Sequence, residues 1–132
     1  ALAMRKFVKR INIKEDVKKA SDKADLAIVS FHFGDEYQTQ SNAEQKYFAR
    51  LAVDYGADLV VGHHPHVVQE VERYKESYIA YSLGNFIFDQ GFSEETTRGL
   101  LLKVLVRNKK TEEVAPVKIK MNQYFQPEPF SE

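Results

Sequence analysis

Two short apolar runs constrain this chain most: Asp25-Leu26-Ala27-Ile28-Val29-Ser30-Phe31 and Asp58-Leu59-Val60-Val61. Both are too short for a buried helix, and both read as strands buried on two faces, as in a parallel sheet. The residues between them carry a helical pattern. Ser41-Asn42-Ala43-Glu44 reads as a capping box, Ser followed by Glu three residues on, opening a helix over about 42–55. Tyr47, Phe48, Leu51, Ala52 and Tyr55 fall at helical spacing and form its expected buried face. Gly56 is a natural stop just past the last turn. Upstream, Asn12 reads as an N-cap, with Glu15 and Asp16 near the positive end of a helix over about 13–23. Its sparse apolar positions, Ile13, Val17, Ala20 and Ala24, imply a surface helix with one narrow buried stripe.

The order helix, strand, helix, strand over 13–61 places a βαβ unit at the centre of an α/β fold. Segments following parallel strands leave the same edge of the sheet, where α/β proteins bind ligands. Here those segments are His32-Phe33-Gly34-Asp35-Glu36 and Gly62-His63-His64-Pro65-His66. Beyond them the texture becomes mainly antiparallel. Val67–Tyr74 alternates in part, Lys75-Glu76-Ser77 reads as a turn, and 78–83 as a strand. Residues 84–89 continue as a loop or strand extension, and 91–97 form a polar connector. Runs 100–106 and 114–121 read as a hairpin joined at 108–111. The tail with Pro127 and Pro129 is expected to be irregular, and residues 1–11 read equally as a short strand or a lead-in.

A length of 132 residues suits one domain spanning 1–132. Nineteen basic and nineteen acidic side chains cancel, which removes the usual reason to expect nucleic-acid binding. No Cys is present, so disulfides and thiolate metal sites are excluded. No apolar run approaches the roughly 18 residues a membrane span requires, and no secretory signal pattern is visible.

Three of the four histidines fall within residues 63–66. Neutral imidazole is the commonest metal ligand. His64 and His66 are one residue apart and would share a face in an extended segment, with Pro65 stiffening the loop. His32, from the neighbouring strand end, supplies a third nitrogen. Asp35, Glu36, Asn85 and Asp89 are the nearby oxygen donors. A single histidine is more often a surface or core residue than a ligand. Three in one loop, with a fourth at the next strand end, reverse that expectation. The bland readings of the others stand beside the functional ones. Glu36 is then a solvated loop charge and Asn85 a turn residue. Tyr78 and Tyr81 are packing groups, and Lys109-Lys110 a hairpin tip.

These residues carry a resemblance. His32-Phe33-Gly34-Asp35-Glu36-Tyr37, Gln45, Gly56-Ala57-Asp58, the histidine loop and Tyr81-Ser82-Leu83-Gly84-Asn85-Phe86 together resemble the CapA family of bacterial capsule and poly-γ-glutamate biosynthesis. That family is related to the calcineurin-like metallophosphoesterases. The likeness covers about 25–90 well, with Phe33 standing where Trp is expected.

It implies an α/β/β/α sandwich with a site for two divalent transition metals, Mn, Fe or Zn, at the sheet edge. His32 and His64 would hold one metal and His66 the other. His63 is the rival of His64. His63 and Glu36 are the candidate catalytic groups, with Asn85 and Asp89 as further candidates. The family's early Gly-Asp, its next acidic ligand and its Asn-Asn segment are not in this chain, which therefore resembles the carboxyl-terminal half of the domain. The implied role is metal-dependent hydrolysis of a phosphoester or amide, or of an anionic polymer. The alternative is a non-catalytic binding component of the cell envelope. Expected partners are the missing half-domain or a second copy. The expected location is the extracytoplasmic face of the bacterial envelope, with any anchor upstream.

Overall fold

Asn12 begins the first helix by accepting a hydrogen bond from the Glu15 N–H, as its position anticipates. The structure, a computed structural model, describes residues 12–130; the segment 1–11 and its ambiguous reading lie outside them. Helix α1 (Ile13–Ser21) buries only Ile13 and Val17. Strand β1 (Ile28–His32), helix α2 (Ala43–Asp54) and strand β2 (Leu59–His63) form the expected parallel βαβ unit.

Asn42, not Ser41, caps α2. Its side chain accepts from Gln45 N–H at 2.8 Å, and Gln45 Oε1 accepts from Asn42 N–H at 3.0 Å. Ser41 is diverted because its N–H and hydroxyl both donate to the Glu70 carboxylate. The buried face is also rotated from the one expected. Gln45, Ala49, Ala52 and Val53 are buried, whereas Tyr47 is 62% exposed. Small side chains let the helix approach the sheet closely, and Phe48, Leu51 and Tyr55 pack around that contact. Gly56 follows the end of α2 at φ +107°, a conformation that other residues avoid.

Two further strands complete the first sheet. β3 (Val71–Tyr74) and β4 (Ser77–Ala80) form a hairpin, and the sheet order is β1-β2-β4-β3. β4 runs parallel to β2, so β1, β2 and β4 are parallel and only the β3 edge is antiparallel. The strand expected over 78–83 ends at Ala80. Leu83 and Gly84 then make isolated bridges to Val68 and Gly99 and carry the chain to a second sheet.

That second sheet has the order β5-β6-β7: β5 (Arg98–Arg107), β6 (Lys110–Met121) and β7 (Pro127–Pro129). The β5–β6 turn is tight, with Asn108 and Lys109 both at positive φ. The tail is not wholly irregular, since β7 pairs with β6. Its two prolines are tolerated at the sheet edge, where a missing N–H breaks little.

The core lies between the two helices and one face of the first sheet, around Val60, Ile79 and Tyr81. Val29 and Phe31 pack against it. The expectation that β1 is buried on both faces is not met: Ile28 is 56% exposed. Among the described residues, its outer face and those of Leu59 and Val61 line an open cleft of about 460 Å³ against Leu100, Leu102 and Val104 of β5.

Candidate functional site

The register of β1 and β2 sets His32 opposite His63, so the two following loops start side by side. Phe33 N–H donates to the His63 carbonyl at 3.0 Å and Tyr37 N–H to the Pro65 carbonyl at 2.8 Å. These bonds lay the first loop onto the second.

A buried amide pair holds the first loop from below. Gln45 Nε2 donates to Gln69 Oε1 at 2.8 Å, and both side chains are almost fully buried. Gln69 Nε2 donates in turn to the Gln38 and Gln40 carbonyls at 2.8 and 3.2 Å. Gly34, at φ +100°, lies against Gln45; a Cβ there would fall 2.5 Å from its side chain. Sequence reasoning did not single out Gln69. Its one available signal was a lone amide following Val67-Val68.

The histidine loop bends and is not extended. His64 has φ +104° and His66 φ +61°, with buried Pro65 between them. The two rings therefore converge through the bend, at 6.2 Å between centroids, and not through strand alternation. The His32 ring lies 4.8 Å from that of His64. One donor atom from each of Glu36, His64 and His66 lies within 4.8 Å of the other two. Glu36, expected as a catalytic group, thus takes a ligand-like place. His32, expected as a ligand, adjoins His64 but stands outside that trio. His63 belongs to β2, and its side chain lines the cleft between the sheets.

Burial lowers the pKa of both His63 and His64, and the neighbouring His32 charge lowers both further. At His64 the Glu36 and Asp35 carboxylates oppose this, while His66 adds to it. The net effect favours neutral imidazole, the form that binds a metal.

Asn85 is buried, with Oδ1 3.0 Å from His66 Nδ1. Asp89 is exposed on the same loop and has no hydrogen bond or ion pair among the described residues. Three aromatics that the sequence did not mark as site residues complete the rim. Tyr37 and Phe88 lie near-parallel to the His66 ring, at 6.0 and 5.4 Å. Phe92 meets Tyr37 edge-on at 5.1 Å.

A parallel strand pair delivering imidazoles and a carboxylate to one sheet edge defines a mixed α/β protein with a candidate metal-ligating crown. Sequence comparison gives the family. Residues 3–90 match the family described as "Bacterial capsule synthesis protein PGA_cap", and the chain belongs to it. Strands β5–β7 lie beyond the matched residues.

The chain is 44% identical over 95 residues to a "Capsule biosynthesis protein CapA" of Bacillus anthracis, covering 72% of this chain and 23% of that protein. It is 42% identical over 92 residues to a "PGA biosynthesis protein CapA" of Bacillus subtilis, covering 70% and 24%. A "Probable polyglutamine synthesis accessory protein" of Mycobacterium tuberculosis is 34% identical over 65 residues, covering 49% and 17%. The matched region is thus about a quarter of the length of the two Bacillus relatives.

Proposed function

We propose that this chain supplies part of a divalent-metal site of hydrolase type to a protein of capsule or poly-γ-glutamate synthesis. The observation that carries the reading is the trio of Glu36, His64 and His66, whose donor atoms converge at the carboxyl ends of two parallel strands. Its donor chemistry fits a borderline transition metal such as Mn, Fe or Zn. His64 and His66 would be nitrogen ligands, Glu36 an oxygen ligand, and His32 the neighbour available to a second metal. His63 faces the cleft and is the candidate for substrate contact or proton transfer. Metals bound there would lower the pKa of a coordinated water and polarise a carbonyl or phosphoryl oxygen.

Residues 32–45, 62–72 and 81–97 contain no Lys or Arg. An anionic substrate would therefore be attracted by the metal charge, not by side-chain cations. The set is short of acidic bridging ligands, which the reading assigns to another part of the parent domain. That part, or a second copy, would cover the open cleft between the sheets. The place of action that follows is the bacterial envelope.

A second reading is a binding component without catalysis. It is favoured by the exposed aromatic rim of Tyr37, Phe88 and Phe92 beside the imidazoles.

The test is metal content of the full-length parent protein beside its His64→Ala, His66→Ala double variant. The expected result is loss of bound metal from the variant; equal content in both rejects the site. Calorimetry on the 132-residue chain alone should show Mn²⁺ binding weaker than micromolar. Tighter binding would mean that no ligands are missing.

A further inference from the structure

The geometry points to Asn85 as a positioning residue that fixes His66 as its Nδ1–H tautomer, leaving Nε2 as that ring's only lone pair. The chain of hydrogen bonds settles each atom in turn. Asn85 Nδ2 lies 3.0 Å from the carbonyl oxygen of Thr96, a group that only accepts. The amide nitrogen must therefore point at Thr96, which leaves Oδ1 facing His66. Oδ1 lies 3.0 Å from His66 Nδ1, and an amide oxygen only accepts. Nδ1 must therefore carry the proton. Neutral imidazole has one N–H and one lone pair, so the lone pair belongs to Nε2.

The anchor of this relay is rigid. Asn85 is 7% exposed and Thr96 is fully buried. The Thr96 hydroxyl donates to the Ser93 carbonyl at 3.0 Å, and the Thr97 N–H to the Glu94 carbonyl at 3.1 Å, closing a short 3-10 turn behind the acceptor. Gly99 passes so close that a Cβ there would sit 2.2 Å from the Asn85 carbonyl oxygen, so the backbone of residue 85 has little room to shift. The rings of Tyr37 and Phe88, near-parallel to that of His66, restrict its tilt. Asn85 thus acts on the candidate site through His66, while its other hydrogen bonds hold the loop.

The purpose of this arrangement rests on the metal-site reading, but the tautomer can be read without metal. ¹⁵N-detected histidine NMR on the metal-free 132-residue chain, at a pH where the ring is neutral, should show His66 Nδ1 pyrrole-like and Nε2 pyridine-like. The reverse assignment in the unaltered chain overturns the inference, and no variant is needed for that outcome.

Two variants then separate positioning from loop support. Asn85→Asp keeps an acceptor for Nδ1–H but loses the donor to Thr96. Asn85→Leu loses both. The expected result is that the Asp variant retains the Nδ1–H tautomer and the Leu variant drifts toward the Nε2–H form that imidazole prefers in water. Equal tautomer populations in both variants, with the fold intact by backbone amide spectra, overturn it. Zn²⁺ affinity of the full-length protein should fall about 10–100-fold in Asn85→Leu and less in Asn85→Asp. An unchanged affinity in Asn85→Leu, with the tautomer as inferred, overturns the positioning role. Loss of Zn²⁺ binding in the unaltered protein rejects the metal-site reading instead.

Discussion

His64 and His66 hold backbone torsions that L-residues rarely adopt, and Tyr37, against the same loop, is at φ +62°. Such conformations persist only where surrounding contacts over-determine them, and they gather at functional sites. Here the contacts are buried Pro65 and the hydrogen bonds from Phe33 and Tyr37. The burial that holds this loop also makes His63 and His64 resist protonation. His63 and His64 have folded-state pKa values below the ordinary 6.5. The unfolded chain therefore binds more protons as pH falls through that region. The stability these groups confer is present above about 6.5 and lost as pH falls through their lowered values. Glu70 and Glu72 are also lowered, from 4.5. Burial opposes that shift at both. At Glu70 it is outweighed mainly by hydrogen bonds from Ser41, and at Glu72 mainly by those from Arg50 and Tyr81. They extend the same acid sensitivity below pH 4.5. Urea midpoints should fall from pH 7.5 to 5.5, and a His63→Gln, His64→Gln pair should flatten that slope. An equal slope in the variant would remove these two residues as its cause.

At the scale of the elements, the glycine that opens the histidine loop has a structural task. β2 is crossed near its end by the chain leaving β4, where Leu83 N–H donates to the Gly62 carbonyl at 3.1 Å. A Cβ on Gly62 would fall 2.0 Å from the Tyr81 carbonyl oxygen and 2.7 Å from the Phe33 ring. The first contact is backbone and has no rotamer to yield. Gly62→Ala should cost about 2–4 kcal/mol of unfolding free energy, as overpacking at its severe end. Denaturant titration checks this, and a loss within about 0.5 kcal/mol, the size of an ordinary surface change, would contradict the crossing geometry.

The elements themselves were legible. Asn12, Gly56 and the two apolar runs placed two helices and two strands to within a few residues. The cap of α2 was not, because Ser41 and Asn42 are both good caps locally. The choice fell to Glu70, remote in sequence, which takes Ser41. The rotation of the buried face follows the same rule. Tyr47 and Phe48 are more apolar than Ala49, but only a small side chain fits where the helix meets the sheet.

For the whole molecule, the uncovered surface is as informative as the core. Ile28, Leu101, Leu105 and Val106 are each more than two-fifths exposed. Among the described residues, β5 stands at the edge of its sheet and is bridged toward the first sheet near Gly99 and Leu100. Exposed apolar surface beside a free strand edge favours pairing with another chain. Sedimentation of the 132-residue chain should show self-association that grows with concentration. Leu102→Glu, which places a charge in the cleft, should return it to monomer. A chain that stays monomeric at high concentration would sink the expectation.

By itself the sequence determined the βαβ unit, the shared edge of its two loops and the imidazole-rich character of that edge. Periodicity, capping chemistry and the clustering of histidines are local properties, and they survive without knowledge of the fold. Only the tertiary structure decided which donors converge. It brought Glu36 into the trio with His64 and His66, left His32 beside it, turned His63 into the cleft and set Asn85 behind His66. Those outcomes depend on the bend at positive φ, on the amide pair of Gln45 and Gln69, and on a contact across 19 residues of chain. Each is fixed by packing between segments distant in sequence, where no local pattern carries the information.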